Sequence, residues 1–287
     1  EAGQRCTHTG LLLTDIWRYF RHTWTNQHTS TPGRTMMILV RDSAVAYHPV
    51  IGIAALGSPV VQLGERDEWI GWQREQFLSK LTTDPSLRAA RWLWSRLDAQ
   101  RDEIYVVDLL RDGLYWPSLW ERPTTDAIEK LESEAARCRA EHHRFARASN
   151  FKSASRTTEP EVFVDRAETA LFRSKRCLAI AGLLRSRAAL LPHFIDGPSR
   201  RALTSALGDR GARDAIASIA RKAKADAVGT EMADLTVCGA IAPYNELLGG
   251  KLVAMLAVSP TVVRAYHERY GSYAGEIAST MAGRPIV

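Results

Sequence analysis

The spacing of apolar positions changes character twice along this chain. Met36–Val40 and Val50–Leu56 are continuous apolar runs of strand length. Only Arg41–Pro49 joins them, a connection short enough to favour an antiparallel hairpin. Their unbroken apolar character predicts strands buried on both faces and covered by helices. From Glu65 the period becomes helical. Trp69, Trp72 and Phe77 lie in one run that ends at Leu81, and Asp84-Pro85 reads as a helix start. Leu87, Arg91, Trp94 and Leu97 follow at helical spacing. The clearest helix is Thr125–Ala148, where Ile128, Leu131, Ala135, Cys138, His142 and Phe145 keep a three–four spacing. Asn150–Pro160 reads as a polar linker. Glu161–Leu191 predicts a second long helix bent at Gly182. Two more are predicted over 198–207 and 209–228, broken by Gly208 and ended by Gly229. Strand character then returns in Asp234–Ala242, which Pro243 ends because it has no N–H for a ladder. Gly249 and Gly250 open a helix that places Leu248, Leu252, Met255 and Leu256 on one face. Thr261–Tyr270 predicts a last long helix, with Val262, Val263, Tyr266 and Tyr270 toward one side. Thr31-Pro32-Gly33 is a turn signal. Arg18–Trp24 and Ile104–Leu110 stay open between strand and helix.

A lone two-stranded hairpin is marginal in water, so neither terminal piece closes a core alone. The expected fold is therefore one α/β (α+β) core, a small mixed sheet, interrupted by a large helical insertion. Its pieces are 1–64 (first half of the core), 65–229 (insertion) and 230–287 (second half). Ile277–Met281 is apolar again and Val287 carries no terminal signal, which suggests that the natural protein continues beyond it.

Composition is that of a globular protein, with 45% apolar and 24% charged residues. No apolar run reaches the roughly 18–20 residues of a membrane helix. Cys6, Cys138, Cys177 and Cys238 are scattered without a CxxC pair and read as small buried residues of a reducing, cytoplasmic compartment. The net charge of +6 is unevenly placed: Arg137–Lys224 holds 19 Lys/Arg against 8 Asp/Glu. That excess points to an anionic partner, DNA or RNA, through Arg173, Lys175, Arg176, Arg221, Lys222 and Lys224. A solvated helical surface accounts for it equally well, since no aromatic residues interleave for base stacking.

Candidate chemistry centres on the strand–turn–helix unit after Asp234, an arrangement that directs backbone N–H groups and a helix dipole at an anion. It is neither a Walker A loop, since Leu252 follows Lys251, nor a GxGxxG turn. Gly249, Gly250 and Lys251 are candidate ligand-binding residues, with Asn245 beside them. Tyr244 and Glu246 are candidate catalytic residues, Glu246 as general base, because they follow the C-terminal end of a strand. A plain connection, with Asn245 as helix cap, is the structural alternative. Tyr266 is a candidate proton donor; a core aromatic explains it too. Cys138 and His142 share a helix face, yet no second ligand pair accompanies them, so no metal is expected. Asp42 and His48 bracket the hairpin turn and suggest a polar pair. Arg18, Arg21 and Arg34 suggest phosphate contacts, against solvated arginines. No GxSxG, HExxH or kinase signature is present.

Several longer segments resemble the DruA family of the Druantia anti-phage defence system. They are RYFRHTW at Arg18–Trp24, GRTMMILVRD at Gly33–Asp42, HPVIGIAALGSPVVQL at His48–Leu63 and RDEWIGW at Arg66–Trp72. PYNELLGGKLVAMLAVSP at Pro243–Pro260 and IASTMAGRPIV at Ile277–Val287 extend the resemblance. It implies a role in anti-phage defence alongside other Druantia proteins. More loosely, the order of hairpin, central strand, glycine turn and helix is similar to acyl-CoA-dependent GNAT transferases. That similarity implies acyl-CoA at Leu248–Lys251 and a general-acid role for Tyr266. A spaced second glycine is missing, and the insertion separates strands that are close in that family. A non-catalytic nucleic-acid recognition or scaffold subunit is the other reading.

Overall fold

The computed structural model describes residues 3–26, 33–146, 159–272 and 275–286. Thr31 and Pro32 of the turn signal, and most of the 150–160 linker, lie outside the described residues. In chain order the first elements are α1 (Leu13–His22), β1 (Thr35–Arg41) and β2 (Val50–Gly57). Then come α2 (Gly64–Ile70), α3 (Arg74–Thr83), α4 (Leu87–Asp102), α5 (Val107–Arg111) and α6 (Ser118–Glu121). These lead to α7 (Thr125–Ala146), α8 (Pro160–Ala167), α9 (Ala170–Leu190), α10 (Arg200–Gly208) and α11 (Arg210–Glu231). The chain ends with β3 (Asp234–Ala240), α12 (Asn245–Ala257), α13 (Pro260–Tyr270) and α14 (Glu276–Ala282). Two compact units result: Glu1–Gln62 with Asp226–Tyr273, and Leu63–Ala225 with Ala274–Val287.

The sheet of the first unit runs β1-β2-β3 and is antiparallel throughout, rather than mixed as expected. β2 is central and buried from Ile51 to Gly57, as its apolar run requires, while β1 and β3 are edges with interrupted burial. Alternation sorts the two faces. Val40, Ala54 and Ala240 pack with Val253 and Ala257 of α12. Ile53, Ala55 and Val237 pack with Trp17 of α1, whose Nε1 donates to the Ala54 carbonyl at 2.9 Å. The close fit of α12 on β2 depends on Gly52: a Cβ there would lie 2.5 Å from Cγ2 of Val253.

The expected face of α12 is out of phase with the observed one. Val253 and Ala257 are buried, whereas Met255 is 62% exposed. The cause is Gly249, whose φ of 57° and ψ of −175° interrupt the helix. Leu248 therefore belongs to a preceding turn, and residues from Gly250 onward are phased separately. Among the described residues no single helix is long and apolar enough to cross a membrane; α12 and α13 meet that test only jointly, across a 50° bend.

In the helical unit α7 packs along α9, and α4, α10 and α11 complete a core through Leu93, Leu131, Leu184, Leu203 and Ile216. Several boundaries differ from expectation. The run 65–81 is two helices parted at Gly71, which is left-handed at φ 82°. The cap of α4 is Ser86, whose Oγ accepts from the Ala89 N–H at 3.1 Å, not Asp84. The helix expected over 161–191 breaks at Glu168-Thr169 and continues through Gly182. Gly229 lies within α11. Of Ile104–Leu110 only Val107–Leu110 is helical, as the start of α5, and Arg18–His22 belongs to α1. The last described residues, expected in the α/β core, fall in the helical unit, where the Tyr105 N–H donates to Met281 at 2.9 Å.

Candidate functional site

The 243–251 turn follows the end of β3. Ala242–Pro243 is a cis peptide bond. The N–H of Asn245 donates to Ile241 at 3.0 Å, and those of Leu247 and Leu248 donate to Tyr244. Tyr244 is half-buried against the sheet, while Asn245, Glu246, Gly250 and Lys251 are exposed. No side chain caps α12, so Asn245 does not play the expected capping role. The two glycines differ. Gly249 needs its positive φ, whereas a Cβ on Gly250 would make only ordinary contact, 4.0 Å from the Cys238 carbonyl and Gly239 Cα.

Tyr266 does not join this group. The turn follows Ala240, which pairs with Gly52, at one end of β3. Tyr266 packs beside Tyr270 at the other end, with ring centroids 5.0 Å apart, over Met36 and Leu56. The Tyr270 hydroxyl anchors that end, accepting from the Thr35 N–H at 2.9 Å and donating to its carbonyl at 2.6 Å. Seven residues of strand at about 3.3 Å each put roughly 20 Å between the two places. The Tyr266 hydroxyl is buried without a hydrogen-bond partner among the described residues, and burial raises its pKa. A proton donor there cannot serve Glu246.

The basic candidates divide by environment. Arg176 is fully buried, so the expectation that it contacts nucleic acid fails. Its Nη1 and Nη2 each lie 2.6 Å from an Asp108 carboxylate oxygen, and the guanidinium also donates to the carbonyls of Tyr105 and Ala167. Burial pushes the Asp108 carboxyl up, but hydrogen bonding and charge from Arg176 outweigh it and hold the pKa low. Arg173 is likewise engaged, by Asp108, Asp112 and Glu134 at 3.0, 2.8 and 2.8 Å. Both residues are structural because α9 points them into the core. Lys224 is held by Asp67 at 2.8 Å, and Lys222 lies 3.9 Å from Glu103. Lys175 is exposed over the Phe172 ring, and Arg221 is exposed.

The remaining candidates have local partners. Arg34 donates to Gly229 and Met232 at 2.7 and 3.0 Å, Arg21 to Asn26 at 2.5 Å, and Arg18 pairs with Asp15 at 3.8 Å. Asp42 accepts from the Ala44 N–H at 2.9 Å, an ordinary turn bond, and His48 Nδ1 lies 3.4 Å from the Asp42 carbonyl. Cys138 is buried beside Glu134, and among the described residues no group of three His, Cys, Asp or Glu could hold a metal. One contact had no signal in the spacing. Both terminal nitrogens of Arg41 lie 3.6 Å from Cys6 Sγ, and hydrogen bonds from Thr9 and Arg41 lower the thiol to about 6. Cys6 itself is buried.

The architecture is thus an α+β protein in which a three-stranded antiparallel sheet unit is interrupted in sequence by a helical unit. Residues 12–100 match the model of the family described as Druantia protein DruA. The match supports a component of the multi-protein Druantia anti-phage defence system. No curated protein and no solved structure matches the chain.

Proposed function

We propose that this chain serves Druantia-type defence in the cytoplasm as a non-catalytic subunit that recognises nucleic acid. The observation that carries this reading is the set of exposed arginines left on the helical unit. Arg139, Arg200, Arg201 and Arg221 have no ion pair among the described residues. Unpaired cations of this kind bind phosphates with release of counterions, so affinity falls as salt rises. The separation of Tyr266 from Glu246 weighs against a transferase mechanism. Binding of the full chain to labelled DNA and RNA, measured across a salt series, tests the reading. Arg139, Arg200, Arg201 and Arg221 changed together to Gln should weaken binding and flatten the salt slope. No binding by the wild-type chain would end it.

The break at Gly249 favours a second reading, in which the turn holds a phosphate-bearing ligand such as acyl-CoA in a GNAT-like core. The helical segment from Gly250 is phased separately from the turn before it, with Lys251 in its first turn. Order supports it as well: an antiparallel hairpin, a third strand, a glycine turn and a helix. Calorimetric titration of acetyl-CoA into the full chain, with Lys251→Ala as comparison, tests it. Weaker binding by a variant of unchanged stability supports the site; absence of wild-type binding removes it.

A further inference from the structure

On α4 the residues Ala90, Leu93 and Leu97 are buried and fix which side of the helix faces out. The outward side carries Arg88, Arg91, Trp92 and Arg96, all exposed. At about 100° per residue these four fall within an arc of about 140°. The three arginines make no ion pair or hydrogen bond through their side chains among the described residues. No carboxylate occurs on the helix between Leu87 and Leu97. Trp92 is 38% exposed, and its ring lies 6.3 Å from that of Phe77, which packs on the core and steadies the indole.

This face sets free guanidinium groups around an exposed aromatic ring. We infer that the α4 face of Arg88, Arg91, Trp92 and Arg96 binds single-stranded nucleic acid, the arginines on phosphates and Trp92 stacking on an unpaired base. The inference rests on the nucleic-acid reading above and moves its centre to a different surface. Planar guanidinium groups suit phosphate oxygens, and a tryptophan face accepts any base, so the surface should be tolerant of sequence. A duplex keeps its bases stacked inside and offers nothing to the indole, which makes the surface selective for single strands.

Fluorescence anisotropy of the full chain with a labelled single-stranded oligonucleotide, and with the duplex of the same sequence, tests this. Arg88→Gln, Arg91→Gln and Arg96→Gln together should reduce the slope of log affinity against log salt by about 2, near 0.7 per lost single-strand contact. Trp92→Ala should weaken single-strand binding by about ten-fold with an unchanged slope, the scale of one stacked base. Trp92→Phe should retain the affinity, and melting by circular dichroism checks that each variant is folded. If the wild type binds but the triple variant matches it in affinity and slope, this surface is wrong while the nucleic-acid reading survives. If Trp92→Ala binds the single strand as tightly as wild type, the stacking role is overturned. If the wild type binds neither probe, the inference and the reading it rests on fall together.

Discussion

Arg176 is sealed in the helical unit, with both terminal nitrogens on Asp108 and further donors on two backbone carbonyls. In the same unit Arg88, Arg91 and Arg96 project from α4 with no partner among the described residues. Arg187 stands between these extremes, its guanidinium carbon 4.0 Å from the Trp94 ring centroid and 5.1 Å from that of Trp120. Burial lowers its pKa despite Asp98 at 3.6 Å. One side-chain type thus does three jobs, decided by what surrounds it. A count of charges along the sequence weights all of them equally. It therefore overstates the cationic surface of 137–224 and passes over the shorter, cleaner face of α4.

The contrast breaks most readily at Asp108. Asp108→Ala leaves a buried guanidinium without its counter-charge and should cost about 3–5 kcal/mol in urea unfolding, or prevent accumulation of folded protein. Arg176→Lys should also be costly, because an ammonium cannot reproduce the two-point contact. A loss below about 1 kcal/mol for Asp108→Ala would mean that the pair is not the fixed node described.

Acid sensitivity sharpens the same comparison. Hydrogen bonding from Arg137 lowers the Glu134 carboxyl from 4.5 to about 2, aided by Arg173 against the opposing effect of burial. A depressed folded-state value means that the stabilisation is fully present above about 4.5 and lost as pH falls toward about 2. Glu134→Gln should flatten the dependence of stability on pH in that window. An unchanged profile would place the acid sensitivity elsewhere. Arg187→Lys comes next, since an ammonium lacks the planar stack with Trp94. About 1–2 kcal/mol should be lost, read by thermal unfolding; no change would show that the stack is incidental.

The strands were legible because Met36–Val40 and Val50–Leu56 are apolar runs bounded by breakers and Asp234–Ala240 is rich in β-branched and small residues. The antiparallel partner of β2 lies beyond the whole helical unit, and only pairing reveals that β3 closes the sheet on that side. Helical spacing grouped Arg91 with Leu87, Trp94 and Leu97, yet the buried row is Ala90, Leu93 and Leu97. Small alanines carry a weak hydrophobic signal, so the phase of α4 was hidden. Tyr266 was grouped with Glu246 because only the landing place of α13 decides which end of the sheet it meets. Burial of Arg176 was equally unreadable, since its counter-charge Asp108 is 68 residues away. The Gly249 turn was legible in kind, as a glycine turn, but not which glycine required it.

The smallest expected effect lies on α4 and completes the contrast. Changing Arg88, Arg91 and Arg96 to Gln removes three charges from a helix whose packing lies on its other side, through Ala90, Leu93 and Leu97. Exposed substitutions away from caps and pairs usually shift stability by no more than about 0.5 kcal/mol each, and Gln is a comparable helix former. Urea unfolding should therefore hardly separate the triple variant from wild type, while Asp108→Ala differs greatly. A stability loss comparable to that of Asp108→Ala would show these arginines to be structural, like Arg176. Unchanged stability leaves their charge available for an anionic partner, and any loss of binding is then a loss of contact rather than of fold.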